Sequence, residues 1–319
     1  STHGSVQGDY AITAPTGLTG FISKKTLTVA ANNDVRFYGL ADTAGYYGVT
    51  YVGFVSGESA SNLTTAPTIA RSNSAVNDAG IYNSVLVPSG AAATNYSFSY
   101  VNGNYTIVPA GQLLVRMANA TNVYGTAPTY TVTEAKYLRN DNTTQVDLLT
   151  AAGAIVNVSS AGLVSVTDAN GTTAAFKAAA LNGTYSTSGW LNVGSYQWGA
   201  SNVVLSGGNN FSGTVTVVGS EAVTVKSITP APTISKVYDG STTIAALSGT
   251  PAGVVTGDVV SLNGSGTYAN KNVTGAADKT YTFTSLALGG ADAANYVLTD
   301  GNGTATSGVR SIAQVMPWN

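Results

Sequence analysis

The sequence predicts an all-β fold, an elongated tandem array of β-sandwich-like modules, or alternatively β-grasp-like ones, with very little helix. Three observations predict it. Strand-length runs alternate apolar and polar residues, as in Thr26-Leu27-Thr28-Val29, Ser97-Phe98-Ser99-Tyr100-Val101 and Thr280-Tyr281-Thr282-Phe283, with Gly, Asn or Pro between such runs. Two aromatic markers recur in a fixed order along the chain. Charged residues make up only 9% of it while 44% is hydrophobic, a balance that suits folded sheets rather than a disordered polyelectrolyte.

The first marker is a tyrosine followed directly, or one residue on, by glycine: Phe37-Tyr38-Gly39, Val123-Tyr124-Gly125 and Val237-Tyr238-Asp239-Gly240. An alternating run comes before each, so a strand is expected to deliver the tyrosine into a core as an anchor, and the glycine to make the turn. The second marker is an asparagine before an aromatic, Asn95-Tyr96, Asn210-Phe211 and Asn295-Tyr296, leading into another alternating segment. Two markers in order define a unit. Their spacing is unequal, so the middle unit carries an insertion, which β architectures accommodate in loops. The expected division is residues 1–25 as the tail of an upstream unit, then 26–110, an enlarged 111–228, and 229–319.

In chain order, residues 9–13 and 20–23 read as two short strands around Pro15, similar to the end of the third unit at Asn295-Tyr296-Val297-Leu298-Thr299. From Phe21 the alternation runs through Lys24-Lys25 into Thr26 with no flexible linker. The same continuity holds from residues 105–108 into Leu113-Leu114-Val115, and from 215–225 into Thr233-Ile234. Only proline-containing segments interrupt, Pro109-Ala110-Gly111 and Pro230-Ala231-Pro232, and they stiffen more than they loosen. A rod is expected.

Within the first unit residues 47–54 alternate as a strand, 57–63 suit one short helical turn stopped by Pro67, and 68–71 and 81–87 are further strands. Asn102-Gly103, between alternating runs 96–101 and 104–108, reads as a type I′ hairpin turn. In the middle unit 155–158, 163–166, 174–176 and 185–187 read as strands, with Asp168-Ala169-Asn170-Gly171 and Asn182-Gly183 as turns. Residues 174–181 fit a short helix equally well. Strands at 242–247, 259–262, 280–283 and 296–299 complete the third unit.

Composition excludes several functions. The net charge is −2 with no basic run, so neither nucleic acid nor an anionic membrane surface is an expected partner. No apolar run approaches the ~20 residues of a membrane helix, and no membrane insertion is expected. Without cysteine there is no disulfide framework, thiolate zinc site or cysteine nucleophile. The one histidine, His3, sits in a small polar stretch best read as a frayed tail, leaving nothing for a Ser-His-Asp triad or a histidine metal site.

Glu58, Glu134, Asp141, Asp147 and Glu221 show no paired spacing of the glycosidase kind. Asp168-Ala169-Asn170-Gly171 and Asp300-Gly301-Asn302-Gly303 open like calcium loops but lack the glutamate six residues after glycine, and Asx turns account for them. Gly57-Glu58 and Gly257-Asp258 hold comparable places in their units and read as turns or caps. No catalytic residue, metal ligand or cofactor is therefore expected, and the chain is not read as an enzyme. Trp190, Tyr196 and Trp198 are the ligand-binding candidates, since flat aromatic faces near Asn192 and Ser195 suit a sugar or a protein. Packing inside an expanded core competes with that role.

These residues carry a resemblance. Thr26-Leu27-Thr28-Val29, Tyr38-Gly39, Gly53-Phe54-Val55-Ser56-Gly57-Glu58, Leu63-Thr64-Thr65-Ala66-Pro67-Thr68, Asn95-Tyr96 and Tyr100-Val101-Asn102-Gly103 resemble the MBG module of the Tyr-Gly type, and 111–228 resembles an enlarged copy at its ends. Val237-Tyr238-Asp239-Gly240-Ser241-Thr242, Gly257-Asp258-Val259-Val260, Asn270-Lys271-Asn272-Val273 and Asn295-Tyr296-Val297-Leu298 resemble the YDG module.

Both families occur in tandem in large, filamentous-haemagglutinin-like bacterial adhesins exported by two-partner secretion. The resemblance implies a non-enzymatic stalk or adhesive segment at the bacterial cell surface, outside the cell, behaving as a monomeric fragment. Its implied partners are an outer-membrane transporter during export and a host-cell, matrix or biofilm glycan or protein. Two rival readings stand beside it: a carbohydrate- or protein-receptor-binding module centred on residues 149–198, and an accessory part of a polysaccharide-degrading enzyme.

Overall fold

The computed structural model describes residues 22–55, 57–230, 236–245, 247, 249–273, 279–299 and 306–310. The expected strands around Pro15, His3, the run 231–235 and the Asp300-Gly301-Asn302-Gly303 turn lie outside these residues. What is described is nearly all β, and its only helical segments are two 3-10 turns, Ala60–Asn62 and Ala293–Asn295. The first of these falls within the expected helical turn.

The first unit comprises β1 (Lys25–Ala31), β2 (Asp34–Phe37), β3 (Val49–Val52), β4 (Thr68–Arg71), β5 (Gly80–Ser89), β6 (Tyr96–Val101) and β7 (Gly103–Val108). Leu27 and Val29 of β1 are fully buried while Thr26 is exposed, as strand alternation dictates. β1 and β2 are two halves of one bent strand, and β6 and β7 are two halves of another. β1 lies parallel to β6 with Leu27 opposite Phe98, and β2 lies parallel to β7 with Val35 opposite Thr106. Two sheets result, β3-β1-β6 and β2-β7-β5-β4. They are joined at a corner by strands that cross from one to the other. The first and last strands therefore run side by side and parallel, the β-grasp-like feature of the arrangement, with β6 and β2 each at a sheet edge.

The corner explains why the expected Asn102-Gly103 hairpin does not form. β6 and β7 do not pair with each other; each follows a different half of the first strand. Neither Asn102 nor Gly103 has the positive φ that a type I′ turn needs. Glycine is required there for room: a Cβ at Gly103 would lie 2.7 Å from the Ala31 carbonyl oxygen. The Asn33 side-chain oxygen accepts the Asn104 N–H at 2.7 Å and fixes the bend.

The middle unit repeats this plan with β8 (Leu113–Met117), β9 (Ala120–Val123), β10 (Val132–Leu138), β11 (Gln145–Asp147), β12 (Ile155–Val158), β13 (Leu163–Thr167), β14 (Thr173–Ala180), β15 (Gly194–Ser206), β16 (Val215–Val218) and β17 (Ser220–Thr224). β8 and β9 form the bent first strand, parallel to β16 and β17 respectively. At this corner Asn119 accepts the Ser220 N–H at 3.1 Å, and a Cβ on Gly219 would lie 2.5 Å from the Met117 oxygen. The insertion adds β12, β13 and β14 as an antiparallel meander on β15, giving a six-stranded sheet. Residues 173–180 are thus strand, which settles the helix-or-strand ambiguity. The strand expected at 185–187 is reduced to one isolated bridge, Tyr185 to Leu191, because the segment turns away to meet the third unit.

The third unit holds β18 (Lys226–Ile228), β19 (Thr243–Ile244), β20 (Ser261–Tyr268), β21 (Lys279–Gly289), β22 (Tyr296–Leu298) and β23 (Thr306–Arg310). β18 is parallel to β22, and β19-β20-β21-β23 form an antiparallel sheet. Only Val225 separates β17 from β18.

The turn glycines Gly39, Gly125 and Gly240 all have left-handed φ, between +78° and +80°, where a Cβ is disfavoured. The tyrosines before them do not share one role. Tyr124 is fully buried, whereas Tyr38 and Tyr238 are 44% and 51% exposed, so the expected anchor holds only in the middle unit. Between the first two units the cause is phase along the strand: Phe37 takes the inward position in the first, and Val123 faces out in the middle one, whereas Val237 and Tyr238 are both exposed in the third. Hydrophobic packing is continuous between units. Val35, Phe37 and Val108 cluster with Leu114, Leu138 and Val218, and Tyr124 and Val223 belong to the core of the third unit.

Candidate functional site

The recurring polar geometry centres on a tyrosine and an acid. In the first unit the turn after β3 brings Glu58 N–H to the Val55 carbonyl at 3.0 Å. The Val55 N–H donates to the Tyr96 hydroxyl at 3.0 Å, and that hydroxyl donates to Glu58. The third unit repeats each bond. Asp258 N–H meets the Val255 carbonyl at 3.1 Å, Val255 N–H donates to the Tyr296 hydroxyl at 3.0 Å, and the hydroxyl donates to Asp258. Acid and tyrosine are 38 residues apart in both. That equal spacing is a signal in the sequence which reading the acids as turns or caps missed. The middle unit has Phe211, buried against Tyr137 at 5.4 Å, in place of the second tyrosine.

Asp258 also reaches across a junction. The Tyr124 hydroxyl of the middle unit donates to its Oδ2 at 2.6 Å, and the Ser188 N–H reaches Oδ1 at 3.3 Å. Burial pushes the Asp258 carboxyl up, but hydrogen bonds from Ser188, Tyr124 and Tyr296 outweigh it and hold the group below the usual range. Around this bond, Thr187 N–H donates to Asp292 and Val193 N–H to Asn295, at 3.0 and 2.9 Å. Asn295 donates to the Asn192 side chain at 2.9 Å, and the Tyr124 and Tyr296 rings meet edge to face at 5.3 Å. The tip of the insertion is therefore bonded to the third unit.

The junction between the first and middle units is equally tied. Arg116 donates to Asp34 at 2.8 Å and lies over the Tyr47 ring at 4.2 Å. Tyr47 donates to the Met117 carbonyl at 3.0 Å, and the Thr50 and Ser220 hydroxyls meet at 2.9 Å in the interior.

A second polar cluster lies inside the first unit. Asp42 accepts from Arg36, Arg71 and Tyr105 at 2.8 to 2.9 Å, and both arginines are buried. Burial raises the Asp42 carboxyl, while bonds from Tyr105 and Arg71 and the two positive charges bring it below its ordinary value. None of these three charged residues stands out in the sequence, because their partners are distant in the chain. Glu221 differs: it is buried, no charged partner meets it among the described residues, and desolvation pushes it up to about 7.

The structure does not bring the three aromatic candidates together. Trp198 is 2% exposed and packs on Tyr130 in the core of the middle unit, with its indole N–H lacking a partner among the described residues. Tyr196 packs against the core of the third unit and donates to the Asn192 carbonyl at 2.9 Å. Trp190 is on the surface. Asp168 forms the expected Asx turn, accepting from the Asn170 and Thr172 N–H groups at 2.9 and 2.8 Å, and also receives the Asn210 side chain. Among the described residues no cluster of three His, Asp or Glu side chains is placed to hold a metal ion.

Comparison with known proteins bears on the repeated geometry. Residues 27–106 match the MBG domain of the YGX type, and residues 220–306 match the YDG domain. No curated protein and no solved structure matches the chain. Neither domain family is known to be enzymatic. The chain thus contains an MBG domain of the YGX type and a YDG domain, with the enlarged middle unit between them.

Proposed function

We propose that this chain is a non-enzymatic stalk or adhesive segment of a large exported bacterial adhesin, acting outside the cell to give length and contact surface for attachment. One observation carries the reading: in each unit the first strand runs parallel beside a strand near the unit's end, β1 with β6, β8 with β16 and β18 with β22. Parallel end strands make the chain enter a unit at one end and leave at the other, so units follow one another head to tail. Tension between the ends then shears a whole ladder of backbone hydrogen bonds instead of peeling them singly.

The single-residue connection at Val225 and the side-chain ties across both junctions support a spacer without hinges. An outer-membrane transporter as export partner, and a glycan or protein as the surface attached to, belong to the same proposal. The absence of cysteine suits passage of an unfolded chain. Single-molecule stretching tests it. Pulling from the two chain ends is expected to give discrete steps at much higher force than pulling the same chain through the exposed turn at Ala60–Asn62. Equally low forces in both geometries would defeat the load-bearing role.

A further inference from the structure

Where the first and middle units meet, a cleft of about 290 Å³ is lined chiefly by carboxamides. Their arrangement is a relay. Gln197 accepts the Asn33 N–H at 2.7 Å, Asn33 accepts the Asn104 N–H at 2.7 Å, and Asn104 accepts the Ser84 N–H at 2.8 Å. In each case the side-chain oxygen is bonded to backbone, which fixes the amide, and among the described residues its NH2 group has no partner. Asn102 is oriented the other way: its NH2 donates to the Ser84 carbonyl at 3.2 Å, leaving its oxygen free to accept. Leu181 and Tyr196 add apolar surface, and no acidic or basic side chain lines the cleft.

We propose that this cleft binds one ring of a neutral saccharide, with the NH2 groups of Asn33, Asn104 and Gln197 donating to its hydroxyl or acetamido oxygens. Three fixed donors, beside the free oxygen of Asn102, the Asn182 amide and the Ser195 hydroxyl, match a set of vicinal hydroxyls, each of which both accepts and donates. An anionic ligand would need a cation that the cleft lacks. The volume of about 290 Å³ lies just below the ~300–1,000 Å³ typical of ligand pockets, which suits a single ring. The assignment is independent of the load-bearing reading, and it places ligand contact at a junction and not on Trp190 or Trp198.

The test is a titration of the full chain, followed through its side-chain amide NMR signals, with glucose, galactose, N-acetylglucosamine, N-acetylgalactosamine and the anionic sialyllactose. A neutral sugar is expected to shift the NH2 signals of Asn33, Asn104 and Gln197 together. Asn104→Asp and Gln197→Glu keep the oxygen that accepts a backbone N–H but remove the donor, so each should weaken binding at least tenfold. The Ser84 and Asn33 backbone signals report that the relay survives in these variants. The proposal is overturned if no neutral sugar shifts these signals at about 20 mM, far above the ~1 mM dissociation constant of a weak site. It is equally overturned if only sialyllactose does so, or if both variants bind as the wild type does.

Discussion

The hydroxyl of Tyr124 donates to Oδ2 of Asp258 across the boundary between the middle and third units, at 2.6 Å, and Tyr296 donates to the same oxygen from within the third unit. One carboxylate thus closes the fold of its own unit and secures the unit before it. Removing either hydroxyl alone separates these two tasks.

Tyr124→Phe is expected to cost about 1.5–3 kcal/mol, the value of a hydrogen bond to a charged group, and to release the third unit from the middle one. Tyr296→Phe should cost a similar amount but destabilise the third unit itself. Urea denaturation followed by hydrogen exchange separates the outcomes: Tyr124→Phe is expected to split one transition into two. A single unchanged transition would contradict the role of this bond in coupling.

Asp42→Ala leaves Arg36 and Arg71 buried without their carboxylate. Loss of a partner from a buried ion pair costs about 3–5 kcal/mol, and the partial water access of Asp42 brings the expected loss to about 2–3 kcal/mol. Limited proteolysis should show it confined to the first unit.

Acid should weaken the chain at Asp42 and Asp258, whose folded pKa values are both depressed. Their stabilisation is present above about pH 4, the ordinary aspartate range, and is lost as pH falls through the lower folded values. Glu221 has the opposite sign. Its pKa is raised to about 7, so its contribution is most favourable at acid pH and is lost as pH rises through that value. Glu221→Gln is therefore expected to stabilise the middle unit by about 2 kcal/mol at pH 8 and hardly at all at pH 5. Thermal melting at the two pH values checks this.

The corner glycines should be intolerant of any side chain. Gly103→Ala and Gly219→Ala place a Cβ against a backbone carbonyl that cannot move freely, and about 2–3 kcal/mol of destabilisation is expected. Gly39→Ala meets nothing within 4 Å and suffers only from its φ of +80°, for about 1 kcal/mol. Equal melting shifts in all three would contradict the corner geometry.

What the sequence made legible was local. The alternation at Leu27 and Val29, the run Leu113–Met117 that forms β8, the left-handed glycines after each marker tyrosine, and the Asx turn at Asp168 all follow from neighbouring residues. The Asn102-Gly103 signal failed because a local preference for a tight turn lost to two long-range parallel pairings, β6 on β1 and β7 on β2. Tyr38 and Tyr124 have the same flanking glycine yet opposite burial, since strand phase at the corner depends on which residue bends. The bonds from the insertion tip to Asp292 and Asn295 join residues about a hundred positions apart, and no local pattern marks them. The family match at both ends of the chain was legible from the paired markers.

Small-angle X-ray scattering of the whole chain tests most directly whether the units follow one another as a rod without hinges. Three units end to end, at ~33 Å for a ten-residue strand, predict a longest dimension of about 100 Å and a radius of gyration near 30 Å. A radius of gyration of about 20 Å, the value for a compact globule of this length, would contradict the account.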